Sequence, residues 1–372
     1  MLALAAVIAV GGCMTVDRSG EPAAPSPAES HALISRLLPP RTSDRVGWAT
    51  DIYAAFAALK LAPDADNVCA VLAVTEQEST FRTRPTVRGL PKMAWEEIEA
   101  RAQRLGVPAL VVRTALRIPS PNGKSYSERI DAASTEQDLS EIFEDLIGRV
   151  PLGSTLFAGW NPVRTGGPMQ VSIAFAEEHA GEHTYPYPVS ASIRREVFTR
   201  HGGMYFGIAH LLGYPASYDK HLYRFADFNA GHYASRNAAF QNALGAASGR
   251  ALVPDGDLVS FAGTAAQAPG PTEAAARAIA TQLEMSDAAI RRDLEQGKSA
   301  QFERTRLYRR VFVLAERRSA RPVPHAALPR IKLKSPKITR NLTTAWFAQR
   351  VDGRYKQCLA RVAQQTSARD RA

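Results

Sequence analysis

Apolar residues recur at helical spacing along almost the whole chain, and few stretches alternate with period two. That pattern commits the fold class to mostly α. Residues 45–60 carry Ile52, Phe56 and Leu59 on one face. Asp66 and Asn67 are expected to cap a helix over 68–80. Further helices are expected at 93–105, 107–117, 134–149, 168–180, 190–213, 218–228, 232–244, 271–283, 285–297 and 300–317. Residues 328–342 read as an extended piece. The chain has 372 residues, 45% of them hydrophobic, which excludes a disordered chain. At about 100–200 residues per domain, this length suits two units, or one large domain with an appendage. The Gly/Ala/Pro stretch at 262–271 is the best boundary.

The N-terminus supplies an address. Residues 1–12 are continuously apolar or glycine, too short for a bilayer span of about 20 residues but suited to a signal-peptide core. Cys13 follows Val10-Gly11-Gly12, and this run resembles the lipobox of bacterial lipoproteins. The likeness implies a diacylglyceryl anchor on Cys13, with residues 1–13 as signal peptide and lipobox. No Lys or Arg precedes the apolar run. Residue 14 is Met rather than Asp, which by the habit of that family implies the periplasmic face of the outer membrane. Residues 14–40, rich at first in Pro, Ser and Ala, are expected to form a flexible tether. Cys69 and Cys358 could pair in an oxidising compartment. Cys69 lies in an apolar stretch, so a buried free thiol is the expectation.

The charge is uneven. Residues 291–372 hold 21 Lys+Arg and 6 Asp+Glu, a net of +15, against 25 and 30, a net of −5, in residues 1–290. A basic region of this kind points to nucleic acid, anionic membrane or an acidic polymer. The Arg-rich run 304–321 keeps Leu307, Val311 and Leu314 at helical spacing, and no nucleic-acid motif accompanies it. Nucleic acid is therefore not an expected partner. Residues 271–372 are read as a basic, mainly helical accessory region.

The chemistry is expected on residues 66–81. Val68, Val71, Leu72 and Val74 leave little polar face, so this helix should be buried. It ends on Glu76, Glu78 and Ser79. Burial and the negative end of the helix dipole both disfavour a carboxylate there. A Glu kept protonated near neutral pH is what a glycosidic general acid needs. Glu76 and Glu78 differ by about 200° around the helix. Glu78 leaves on the face of Val71 and Val74.

Glu78-Ser79-Thr80-Phe81 resembles the Glu-Ser-x-Phe signature of the soluble lytic transglycosylases, a branch of the lysozyme-like superfamily. Gly167-Pro168-Met169-Gln170-Val171 resembles that family's Gly-Leu-Met-Gln motif. Gly203-Met204-Tyr205-Phe206 is similar to its Gly-x-x-Tyr-Leu helix, and Phe228-Asn229-Ala230-Gly231 to its Tyr-Asn-Ala-Gly motif. The resemblance covers roughly residues 66–245. It implies a lysozyme-like helical domain over 41–262, with 84–165 as a long helical insertion, because Glu78 and Gly167 stand 89 residues apart. Nearly the whole chain also resembles an uncharacterised proteobacterial lipoprotein family of unknown function.

By the first resemblance Glu78 is the sole general acid/base. It protonates the glycosidic oxygen between N-acetylmuramic acid and N-acetylglucosamine, then takes the proton of the attacking muramyl 6-hydroxyl. The product is a 1,6-anhydro sugar, and no second carboxylate is required. Gln170 and Asn229 contact the sugar or the acid, Met169 packs in the cleft floor, Tyr205 lies on the cleft helix and Ser79 helps hold the helix end. The partners implied are peptidoglycan glycan strands and, through acylated Cys13, outer-membrane lipid. No cofactor or metal is expected. Phe228 stands where the family has a Tyr whose hydroxyl contacts the acid; Tyr223, Tyr233 and Tyr205 are candidates to replace it. A non-catalytic peptidoglycan-binding or envelope-assembly lipoprotein with the same fold is the alternative.

Two other patterns stand in the sequence. His179-Ala180-Gly181-Glu182-His183 matches the H-x-x-E-H pattern of a zinc peptidase, but Gly181 and the Tyr185-Pro186-Tyr187-Pro188 run weaken and end the helix it needs. Tyr185, Tyr187 and Tyr214 are expected in packing rather than stacked on sugar.

Overall fold

The computed structural model describes residues 26–149, 161–259, 268–333 and 341–369. Cys13 lies outside them. Among the described residues the architecture is mostly helical, with one two-stranded antiparallel hairpin. No helix among the described residues is long and apolar enough to cross a membrane.

The first helix, α1 (Pro27–Leu37), stands where a flexible tether was expected. Ser26 and Glu29 form a reciprocal capping box, Pro27 opens the first turn, and Ile34 and Leu37 are fully buried. Such burial fixes a segment whose composition alone reads as linker. Helix α2 (Arg45–Ala58) buries Trp48, Ile52 and Phe56. Helix α3 (Ala65–Glu78) is the axis of the fold, with every residue from Val68 to Thr75 buried. Its cap is Asp64, which accepts from the Asn67 amide, rather than Asp66 or Asn67.

The expected insertion contains α4 (Leu90–Arg104), α5 (Ala109–Ala115), α6 (Tyr126–Ala132) and α7 (Glu136–Gly148). Strands β1 (Thr165–Gly166) and β2 (Val171–Ser172) follow, pairing Thr165 with Ser172 and Gly166 with Val171. Here the expected helix over 168–180 is corrected. Residues 168–170 turn the hairpin, and α8 begins only at Ile173 (Ile173–Glu182). The expected helix over 190–213 is two, α9 (Ile193–Val197) and α10 (Arg200–Leu212). Thr199 separates them in an extended conformation and caps α10 by accepting from the Gly202 amide. Helices α11 (His221–Ala230) and α12 (Ala234–Ser248) complete this half.

A second apolar cluster forms around Phe240, Leu244, Leu283, Leu294, Phe302 and Phe312. It joins α12 to α13 (Pro271–Ala278), α14 (Ala280–Leu283), α15 (Asp287–Glu295) and α16 (Arg306–Ser319), with 3-10 turns at Gln296–Lys298 and Ala300–Arg304 between the last two. The expected helix over 271–283 breaks at Ile279. Arg236, fully buried on α12, ties these elements together. It donates to the carbonyls of Gly297 (2.6 Å) and Ser299 (2.8 Å) and lies over the rings of Tyr233 and Phe302.

The stretch 271–372, expected as one accessory region, divides. Its last helix, α17 (Thr344–Arg369), leaves the second cluster and packs along α3 and α11, placing Phe347, Ala348, Val351 and Cys358 in the first core. Cys358 is bonded to Cys69 of α3 across 289 residues. The expected free thiol at Cys69 is thereby corrected. Cys69 is as buried as expected, but α17 brings a second sulfur to the same place. Of the extended piece at 328–342, the described part forms a single bridge, Lys332 with Thr343.

Candidate functional site

A groove of about 1140 Å³ opens along the end of α3, the hairpin, one face of α8 and the loop after α11. Glu78, the last residue of α3, stands at it half-buried. The chain then turns sharply. Thr80 and Phe81 adopt left-handed φ of 53° and 57°, unusual for a β-branched and a bulky residue. Phe81 holds the turn by burying its ring edge-on to Trp48 at 5.3 Å. Ser79 donates to the Thr75 carbonyl at 3.2 Å and accepts from the Arg82 amide at 3.3 Å. It is buried behind the groove and holds the helix end.

Gln170 reaches the groove from the hairpin turn, with its own φ at 51°. The turn needs glycine around it. At Gly167, with φ +71°, a Cβ would stand 2.0 Å from the Val197 carbonyl oxygen. Gly203 and Gly207, one turn apart on α10, leave room for Pro168 and Met169; a Cβ on either would lie 2.4 Å from them. Met169 is fully buried there, beneath the groove rather than lining it. Tyr205 is also buried. Its hydroxyl lies 3.3 Å from His179 Nε2, and burial raises its pKa.

Asn229 lines the groove from the end of α11, and its Oδ1 accepts from the Thr344 hydroxyl at 3.0 Å, so α17 holds it. The loop is set by Asp227, a residue the sequence reading missed. This fully buried carboxylate accepts from the hydroxyls of Tyr214 (3.0 Å) and Tyr218 (2.6 Å) and the amides of Tyr233 (3.0 Å) and Ser235 (2.7 Å). Burial raises its pKa, opposed by those hydrogen bonds. The signal was legible as a lone carboxylate among apolar residues just before the Phe-Asn-Ala-Gly motif.

The groove thus brings together Glu78, Gln170 and Asn229, with Phe228 beside them, while Ser79, Met169 and Tyr205 support it from within. It also contains histidines that the reading did not assign to it. His210 packs against Phe175 (4.6 Å), Phe228 (5.1 Å) and His232 (4.4 Å), and His232 stacks on Tyr214 at 4.0 Å. His232 Nε2 donates to the His210 carbonyl at 2.7 Å. Burial, with His232 adjacent, lowers the His210 pKa to about 3, and burial lowers that of His232 as well. At neutral pH this wall is uncharged imidazole, able to donate and accept. The far end holds Asp255, Asp257 and Lys298.

In the H-x-x-E-H run, His183 caps α8 rather than lying within it. The rings of His179 and His183 stack at 4.3 Å and 12°, so their in-plane lone pairs do not converge on one point. Among the described residues, no group of three or more His, Cys, Asp or Glu is placed to share a metal ion. Tyr185 stacks on Phe206 and donates to Glu196 at 3.0 Å, and Tyr187 sits beside His201. With Tyr214 on Asp227 and His232, all three tyrosines are in packing.

Residues 41–361 match the model of a family described as "Protein of unknown function (DUF1615)". The chain belongs to the DUF1615 family. Its similarity to "Uncharacterized protein YaiW" of Escherichia coli (strain K12) is 52% identity over 362 residues, covering 96% of this chain and 97% of that one. No solved structure matches it. In this DUF1615 chain the matched span runs from before α2 into α17, so the second apolar cluster, the whole groove and all of the first cluster except its α1 end (Ile34, Leu37, Leu38) fall inside it.

Proposed function

We propose that this groove binds a peptidoglycan glycan strand and that Glu78 cleaves it as a single general acid/base, in the manner of a lytic transglycosylase. The observation that carries this reading is the convergence of Glu78, Gln170 and Asn229, from three distant parts of the chain, on one groove. Its volume suits an extended ligand rather than a small metabolite. The polar groups along it, uncharged imidazoles included, suit a substrate rich in hydroxyl and amide groups. In the proposed reaction Glu78 gives its proton to the glycosidic oxygen and receives one from the muramyl 6-hydroxyl, closing the 1,6-anhydro ring without water. The buried Cys69–Cys358 bond fits an oxidising compartment. It supports export; the anchor through Cys13 on the periplasmic face of the outer membrane rests on the lipobox likeness of residues 10–13.

One observation favours the second reading, a glycan-binding protein without turnover. Phe228 lines the groove where the resemblance expects a tyrosine, and among the described residues no tyrosine lines it. Tyr205 is engaged with His179 instead. The two readings separate when purified sacculi are incubated with the chain carrying Cys13→Ser. Binding with release of soluble fragments supports the enzyme, and binding without release supports the binder. Absence of binding contradicts both. Phe228→Tyr is expected to raise release if the missing hydroxyl limits the reaction.

A further inference from the structure

Away from the groove, α4, α5, α6 and α7 enclose a second pocket of about 330 Å³. Its wall is almost wholly aliphatic or aromatic, with Ile98, Leu105, Val112, Leu116, Ile142 and Phe143 prominent. Nothing in the proposed glycan chemistry uses it.

Two further observations say what it fits. One residue of the pocket wall, Leu105, begins an exposed apolar stretch. Leu105 is 61% exposed, Leu110 77%, Val111 54% and Ile118 47%, and helix α5 buries none of its residues. Isolated exposed apolar residues are ordinary, but four within 105–118 beside an apolar pocket mark an interaction surface. The stretch is also cationic. Residues 88–118 hold six Lys+Arg and three Asp+Glu, a net of +3. Arg101 lines the pocket, ion-paired at 2.5 Å with Glu97 of the same wall, while Arg104, Arg113 (paired with Glu99) and Arg117 are exposed in the same stretch. Apolar side chains ringed by arginine are the pattern of a segment resting in an anionic lipid interface. The pocket wall offers little to orient a sugar or a peptide backbone, whereas an acyl chain needs no polar partner.

We propose that this pocket holds one acyl chain of an anionic lipid, with the α5 stretch seated in the lipid surface and Arg101 beside the headgroup. This site is independent of the glycan reading and of the Cys13 anchor.

The test uses the full chain carrying Cys13→Ser, which removes the expected anchor. Fluorescence titration with dansyl-labelled undecanoate is expected to saturate at one probe per chain. Ala102→Phe, which fills the pocket, is expected to weaken that binding at least about tenfold, or 1.4 kcal/mol, with the circular dichroism spectrum unchanged. Should that variant fail to fold, Arg101→Glu is expected to weaken the anionic probe similarly. The double variant Leu110→Ser, Val111→Ser is expected to bind free probe like the parent. It should lose cosedimentation with phosphatidylglycerol vesicles, and the parent should leave phosphatidylcholine vesicles unbound. No saturable probe binding, equal binding by the parent and a folded pocket variant, or equal cosedimentation with both vesicle types overturns the proposal.

Discussion

Glu78 owes its place to neighbours that do not line the groove. Ser79 holds the helix end, the left-handed Thr80–Phe81 turn carries the chain away, and the Phe81 ring on Trp48 pins that turn. Gln170 depends in the same way on Gly167, Gly203 and Gly207, and Asn229 on Asp227 and Thr344. The motif residues were legible in the sequence because each motif is short and local. Asp227 is readable as a lone carboxylate before its motif, but its role appears only when Tyr214, Tyr218 and two amides converge on it. Two predictions belong at this scale. Asp227→Ala strands four buried donors and should destabilise the chain by at least about 3 kcal/mol, read from the denaturant midpoint. Gly167→Ala meets both the positive φ and the Val197 carbonyl and should cost about 2 kcal/mol or more. An unchanged midpoint in either variant would show that the contact is not sustained in solution.

At the scale of elements, local pattern succeeded where apolar spacing is regular and failed where one residue interrupts it. Helix α2 follows directly from Ile52 and Phe56. The break at Thr199 lay inside a run whose spacing continues through it. Helix α1 was hidden by a tether-like composition, although its Ser26–Glu29 capping box is a readable start signal. Helix α17 was hidden by its charge. Phe347, Val351 and Cys358 nevertheless stand at helical spacing, and they are the residues it buries. The Cys69–Cys358 bond joins this helix to α3 and closes most of the chain into one loop. Cys358→Ser, or reduction, should destabilise the protein by about 2–5 kcal/mol. It should also raise hydrogen exchange in α17 ahead of the second cluster. Because Thr344 holds Asn229, groove function should fall with it.

At the scale of the whole molecule, the groove is where parts of the chain far apart in sequence meet, running from Glu78 to Asp257 and Lys298. That meeting is a product of topology, which no local window of sequence contains. It also gives stability a pH dependence. His210, with a folded pKa of about 3 against 6.5 for the free side chain, stays neutral when folded but takes up a proton on unfolding at pH below about 6.5. His232 and His221 shift in the same direction, chiefly through burial. Their contribution is fully present above about pH 6.5 and is lost as pH falls toward the folded values. The denaturant midpoint should therefore drop between pH 7.5 and pH 5, and His210→Phe should flatten part of that drop. A midpoint that rises on acidification would contradict the buried-neutral assignment.

The central claim is that Glu78 in this groove breaks a glycosidic bond without water, and the ends it leaves test that claim most directly. Sacculi digested with the Cys13→Ser chain and examined by mass spectrometry should yield muropeptides ending in 1,6-anhydromuramic acid, and the further change Glu78→Gln should abolish them. Hydrated reducing ends, equal release by the Glu78→Gln protein, or no release at all would contradict it.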